Sequence, residues 1–406
     1  MDDYLFKGLR VIDCATVIAA PTAAMMLADF GADVIKVEQP GEGDMLRMLS
    51  HVPTAPEAGN DWFWNLDGRN KRVLSLNLKD AEALEILREL VVGCDVFITN
   101  QPFEVRSSLK ITYEQLSELN PKMIYASLSA YGEKGPDRAR KGFDQVAYWG
   151  RSGLMDLMRN PGKMPSQGLP GMGDHPTGVA LYASIVTALL RRERTGKGSL
   201  VHTSLLANGL WSAAGVAQGA LTGGDMETYR ENSLIYSATF RPYRTRDNRW
   251  LQLNMIRNEE LLAMLLVAID ATELLSDPRF ATMEDLWPNR EALGDEIQER
   301  IGQKDATDWI RIFEEYDVPA YLIVKVEDLE SDEQLVANGM IETPSDATMG
   351  MKNLIKHPLN IEGLPRAPHR RAPTPLPRHF LRRSETAPSL RPSRRREPTL
   401  PAHHIR

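Results

Sequence analysis

The sequence predicts an α/β protein: a parallel sheet with helices on both faces, followed by a smaller α+β domain. Three observations predict it. In the opening third, short β-branched apolar runs alternate with segments of helical spacing, the rhythm of a parallel sheet covered on both sides. From about residue 236 the texture changes to aromatic and basic residues around a hairpin turn, with helices beyond. A chain of 406 residues, 42% apolar and 25% charged, also has ample material for two or three cores of ordinary globular composition.

The elements follow in order. "RVIDCA" (10–15) is a strand, "PTAAMMLADFG" (21–31) a helix with Pro near its start and Gly at its end, and "DVIKVE" (33–38) a second strand, which makes a β-α-β unit. "RVLSLNL" (72–78), a helix over 79–93, "DVFITN" (95–100) and "MIYASLSAY" (123–131) continue the rhythm. "ALYASIVTALLRRERTG" (180–196) is a long helix with basic residues in its last turn and Gly196 as its stop. "GSLVHTSLL" supplies a further strand, and "FRPYRTRDNRWLQLNM" a hairpin turning at Asp247-Asn248. The expected domains are a large α/β domain over 1–224 and a small α+β domain over 225–325. The chain then returns to the large domain over 326–365, beginning with "VPAYLIVKVEDLESD" (318–332), and ends in a Pro/Arg-rich tail over 366–406.

Charge and cysteine usage narrow the function classes. The net charge of −7 gives no reason to expect a nucleic-acid partner, although it is unevenly spread. The last 42 residues hold eleven Arg, two Glu and no Lys, a net of +9, which leaves −16 before them. Cys14 and Cys94 sit singly in apolar runs, as neither metal ligands nor a disulfide framework. The N-terminus lacks the order of a signal peptide, and no apolar run approaches the roughly 20 residues of a membrane span, so a cytoplasmic protein is expected.

Several motifs are weak. Glu38, closing the second strand, suits a dinucleotide ribose, but the preceding loop "CATVIAAPTAA" has no glycine to admit a pyrophosphate; Glu38 then reads as a solvated strand-end charge. The eight histidines show no metal-ligand spacing, and neither a P-loop nor a nucleophile elbow occurs, so no metal is expected. Lys71, Arg72 and "RRER" (191–194) read as solvated basic faces, with Arg72 a reserve phosphate ligand. "GMGDHPTG" (171–178) is the informative stretch. Asp174 has a bland reading as an N-cap, worth about 1 kcal/mol, with Pro176 tolerated in the first turn. The glycines around it suggest another, a carboxylate left accessible to a large ligand.

Taken together, "LFKGLRVIDCATVIAAPTAAMMLADFGADVIKVEQPGEGDMLR", "GRNKRVLSLNLK", "LNPKMIYASLSAYGEKGP", "KGFDQVAYWGRSGLM", "GDHPTG" and "RTGKGSLVHTSLL", with "DPRF" and the "GM" at 339–340, resemble the class III CoA-transferases. That family includes formyl-CoA and carnitine CoA-transferases and shares its Rossmann-like fold with α-methylacyl-CoA racemases. The resemblance covers roughly residues 5–365.

It implies that Asp174 attacks an acyl-CoA thioester to give a mixed anhydride, that the freed thiolate makes an enzyme–CoA thioester, and that a carboxylic acid acceptor leaves as the new acyl-CoA. A carboxylate near the ordinary pKa of about 3.9 would need no base for this, and N–H groups at 175–178 would steady the charge. CoA or acyl-CoA is then a substrate, with no tightly bound cofactor. The matching CoA contacts are Leu76, Asn100, Gln101 and Lys141, with Ile18 and Gln39. The partners implied are an acyl-CoA donor, a carboxylic acid acceptor and a second copy of the chain in an interlocked homodimer, without nucleic acid or membrane.

This chain departs from the family at identifiable places. Gln101 stands where an aromatic residue packs on adenine, and Ser108 where an arginine is expected, with Arg106 two residues earlier. "LNMIRNEE" (253–260) lacks the glycines of a closing loop and offers Arg257 instead. Phe143 occupies the position of the racemase histidine and cannot carry a proton, which disfavours the isomerase reading. A catalytically impaired CoA-binding paralogue is the third reading. The tail, with nine prolines from 365 on and no apolar period, is expected to be disordered or the product of a frameshift near residue 373, which the alternative reading frames of the gene decide.

Overall fold

The computed structural model describes residues 4–160, 162–232, 237–254, 256 and 258–374. Six parallel strands form the main sheet: β1 (Arg10–Asp13), β2 (Asp33–Glu38), β3 (Arg72–Ser75), β4 (Val96–Thr99), β5 (Ile124–Ser129) and β6 (Ser199–Ser204). Their order is β3-β2-β1-β4-β5-β6. The chain therefore winds outward in one direction from β1 and in the other from β4, which leaves a crevice where the C-terminal ends of these two strands diverge.

Alternation along the central strands feeds two cores. Val11, Val96, Ile98, Ile124 and Ala126 point to one face, against the helices Ala19–Asp29 and Asp174–Thr195. Ile12, Phe97 and Tyr125 point to the other, against Leu87 and Val91 of the helix Ala81–Val92 and Leu116 of Tyr113–Leu119. Both faces being covered explains why these strands read as continuous apolar runs. The helix Ala19–Asp29 is buried along its whole length, and its small residues allow the long helix to lie close. A Cβ at Gly178 would meet the Ala19 carbonyl oxygen at 2.6 Å and Thr22 Cβ at 2.9 Å. Gly178 is thus a packing glycine.

A third core belongs to a three-stranded antiparallel sheet, β7 (Pro242–Arg244), β8 (Trp250–Leu253) and β9 (Ala320–Ile323), under helices Glu259–Ala268, Arg290–Ile301 and Ala306–Glu315. The β7–β8 turn carries Asn248 at φ +59°, a left-handed conformation that asparagine tolerates well. One expectation fails here: "VPAYLIV" does not start the return to the large domain. Leu251 and Leu253 pair with Leu322 and Ala320, so the apolar run completes the small sheet before the chain leaves it.

The end of the described chain also differs from expectation. Residues 366–374, expected to belong to the tail, pack on the large domain. The Ala372 N–H donates to Asn65 Oδ1 at 3.1 Å, Trp64 Nε1 and Arg47 donate to the Pro373 carbonyl, and Ala372 is buried beside Phe63 and Trp64. Residues 375–406, the rest of the expected tail, lie outside the described residues. Among the described residues, no helix is long and apolar enough to cross a membrane.

Candidate active site

The crevice between β1 and β4 is organised by buried charge. Lys36, from β2, is wholly buried and ion-paired with Asp44 at 2.7 Å and Asp13 at 3.9 Å; Lys71 meets Asp13 at 2.9 Å. Burial alone would strip the proton from Lys36, but Asp13 and Asp44 hold its pKa above the ordinary lysine value. Lys71 is therefore a structural cation, contrary to the solvated face expected of it. Glu38 is corrected in the same way: it is buried and paired with Arg47 at 3.0 Å. Arg72 is paired with Asp33 at 2.7 Å and begins β3, at the sheet edge away from the crevice.

The loop after β1 is fixed from both sides. Asn100, just past β4, donates from Nδ2 to the Thr16 carbonyl at 2.7 Å and accepts from the Thr16 N–H at 2.9 Å. Asp44 accepts from the Val17 N–H at 2.9 Å. Between these clamps Val17 sits at φ +65°, a costly conformation for a β-branched residue. The strain falls beside the candidate nucleophile.

Asp174 is the first residue of the long helix, whose N-cap is Gly173. Its carboxylate caps nothing; it is 8% exposed and accepts no hydrogen bond from any described residue. Burial, then the Asp144 carboxylate, push its pKa up to about 7, with His175 opposing and Asp67 assisting. This departs from the expected carboxylate of ordinary pKa, first because the group is buried and then because Asp144 and Asp67 stand beside it. Asp144 is held by the Gly171 N–H at 3.0 Å, and Asp67 lies 3.2 Å from His175 Nε2. Burial would lower the pKa of His175, but Asp67, Asp174 and the Gly171 backbone together raise it.

The glycines of "GMGDHPTG" have different work from that expected. A Cβ at Gly173 would lie 2.5 Å from the Tyr148 ring, so Gly173, like Gly178, is small for packing and not for ligand access. The helix N-terminus offers little either. The N–H groups of His175 and Thr177 donate to the Gly171 and Gly173 carbonyls, and Pro176 has none. Steadying of charge by backbone at 175–178 is not supported.

Two adjoining cavities collect the expected residues. One, of about 300 Å³, is lined by Asp174, Ile18, Asn100, Gln101, Lys141 and Phe143. The other, of about 320 Å³, is lined by Gln39, Leu76 and Glu38, and it shares Thr16 and Gln101 with the first. Arg106 lines neither: it is buried and bound to Glu133 at 2.8 and 3.0 Å. Ser108 is exposed and turned to its own helix, donating to the Val105 carbonyl. The sequence reading missed Arg138 and Arg140, which line the first cavity and stand in the plain view of "PDRARKGF". Arg257 lies outside the described residues. Among the described residues, no group of three or more His, Cys, Asp or Glu could hold a metal ion.

The buried carboxyl makes a checkable prediction. An aspartate whose folded-state pKa is raised makes folding costlier as pH climbs from its unfolded value toward about 7, so the cost is absent below about 4 and full above about 7. Asp174→Asn, which removes the charge, should melt above the unaltered protein at pH 8 by an amount that shrinks toward pH 5. Equal melting temperatures at both pH values would contradict this environment.

Comparison with known proteins agrees with the geometry. Residues 6–376 match the family described as CoA-transferase family III. The (R)-2-hydroxy-4-methylpentanoate CoA-transferase of Clostridioides difficile is 33% identical over 338 residues, covering 83% of this chain and 84% of that protein. The succinyl-CoA:glutarate CoA-transferase of Mus musculus is 31% identical, covering 85% and 78%. A crystal structure of a CAIB/BAIF family protein from Brucella suis superposes with a TM-score of 0.80 at 28% identity, over 91% of this chain and 96% of that one. With a family match spanning nearly all of the described chain and relatives above 30% identity, this chain belongs to CoA-transferase family III.

Proposed function

We propose that the protein moves CoA from an acyl-CoA donor to a carboxylic acid acceptor, with Asp174 as the nucleophile. The observation that carries this reading is a buried carboxyl, free of hydrogen bonds, opening onto a cavity at the switch point of the sheet beside the expected CoA contacts. A Asp174 carboxylate oxygen attacks the thioester carbonyl, the C–S bond breaks, and CoA leaves as the thiolate. The thiolate then attacks the aspartyl carbonyl of the mixed anhydride, releasing the donor acid and leaving an aspartyl–CoA thioester. An acceptor carboxylate repeats the two steps in the opposite sense, and the new acyl-CoA departs with Asp174 restored.

The environment of Asp174 suits a nucleophile at some cost. A carboxylate that accepts no hydrogen bonds has less solvation to shed before it attacks, and the burial that raises its pKa also keeps water from the anhydride. Ile18, Asn100, Gln101 and Lys141 in the first cavity, with Gln39 and Leu76 in the second, would contact CoA. Phe143, 60% exposed in the same cavity, supports transfer over racemisation, since it offers no second base opposite Asp174.

The reading includes an interlocked homodimer. The helix Ala214–Leu221 buries none of its residues, and Trp211 and Leu221 are 80% and 76% exposed. Trp250, Tyr321 and Ile323 share the outer face of the small sheet. Apolar surface of this extent is characteristic of protein that is covered in its working state.

Two measurements test the proposal. Incubation with acyl-CoA, quenching in hydroxylamine and peptide mapping should place the adduct on Asp174, and Asp174→Asn should keep the fold but lose transfer. An adduct that persists elsewhere in Asp174→Ala would sink the assignment, and CoA binding without any turnover would favour the impaired paralogue. Light scattering at micromolar concentration should give twice the 45.5 kDa chain mass; a monomeric mass would remove the dimer.

A further inference from the structure

Resting on the CoA-transferase reading, a second question is what meets the phosphates at the nucleotide end of CoA. Arg106, the nearest arginine to the family position now occupied by Ser108, is not free for them. Its guanidinium is buried, and both of its close contacts are to the Glu133 carboxylate, which also accepts from Ser127. Breaking such a pair to reach a ligand would leave Glu133 unpaired in a low-dielectric site.

The exposed wall of the Asp174 cavity offers a different pair. Arg138, Arg140 and Lys141 line it, and Asp174 is the single acid among its lining residues. Arg138 makes no ion pair with any described residue; its guanidinium lies 3.9 Å from the centroid of the Phe103 ring. A guanidinium resting on an aromatic face keeps its N–H edge outward and loses less freedom on meeting an anion. Arg140 has one acidic neighbour, Asp137 at 3.8 Å, and Arg151 holds that same aspartate more closely at 3.0 Å. Two guanidinium groups without full partners therefore border a cavity whose inner end carries the reactive carboxyl.

We propose that Arg138 and Arg140 bind the phosphate groups of CoA in this chain, with Phe103 as the platform that holds Arg138 in place. Guanidinium edges match phosphate oxygens in pairs, and three cations at the mouth attract a polyanion whose thioester end is neutral. Two surface arginines thus serve where the arginine expected at Ser108 is missing and Arg106 is committed to Glu133.

Binding calorimetry with CoA, dephospho-CoA and pantetheine tests this without any turnover. Both arginines are exposed, so their replacement leaves the fold intact, which the melting temperature checks. Arg138→Ala and Arg140→Ala should each weaken CoA by about tenfold or more, the loss expected for a charged hydrogen bond. Phe103→Leu should weaken it less. Pantetheine, which has no phosphate, should bind all variants equally. If dephospho-CoA escapes the penalty, the contact is to the 3′-phosphate; if it shares the penalty, the contact is to the pyrophosphate. A uniform loss that includes pantetheine, or no loss with CoA, would overturn the proposal. Failure of Asp174 chemistry would leave these affinities unchanged, so the two readings fall separately.

Discussion

Lys36 is the constraint on which the rest of the site is built. A fully buried ammonium survives only with anions against it, and here Asp44 at 2.7 Å and Asp13 at 3.9 Å come from two different segments. Asp13 ends β1 and also holds Lys71, while Asp44 reaches back to the Val17 N–H. The network therefore pins β1, β2, the start of β3 and the loop after β1 to one point. Removing one member of such a set is costly, roughly 3–5 kcal/mol, because the others are left charged and dry. Its directional demands, more than its net energy, fix the Thr16–Ile18 loop in its strained form.

Asp174 depends on that fixed loop and on its own burial. The helix that starts with it packs against the helix following the pinned loop, and Gly178 sets how closely the two approach. The result is a carboxyl with acids beside it and no donors, an arrangement that costs stability once the group ionises. Carboxyls perturbed in this way cluster at functional sites, which is what the proposed role of Asp174 requires.

Closure of the large domain comes from far along the chain. Arg47, which neutralises Glu38 at the rim of the second cavity, also donates to the carbonyl of Pro373, and its guanidinium stands 3.9 Å over Trp64. Asn70 exchanges hydrogen bonds with Arg370, its side chain accepting from the Arg370 N–H and its own N–H donating to the Arg370 carbonyl. The chain thus leaves the large domain after β6, builds the small sheet, and returns to cover the first strands. Glu38, which lines the second cavity, is thus tied through Arg47 to the last described residues.

The sequence by itself determined what depends on neighbours along the chain. Short, continuous β-branched apolar runs marked β1, β2, β4 and β5 to within two residues at each end, because a strand buried on both faces needs apolar side chains on both. Ordered motifs singled out Asp174 and six of the expected CoA contacts that line the two cavities. What only the tertiary structure decided depends on partners distant in sequence: that Lys71 and Glu38 are buried and paired, that Arg106 is committed to Glu133, and that 366–374 packs on the large domain with Ala372 buried. It also decided that β9 stays with the small sheet and that Asp174 is raised toward neutrality. In each case a residue's charge state or burial is set by groups between 9 and 326 positions away, and local spacing carries no record of such neighbours.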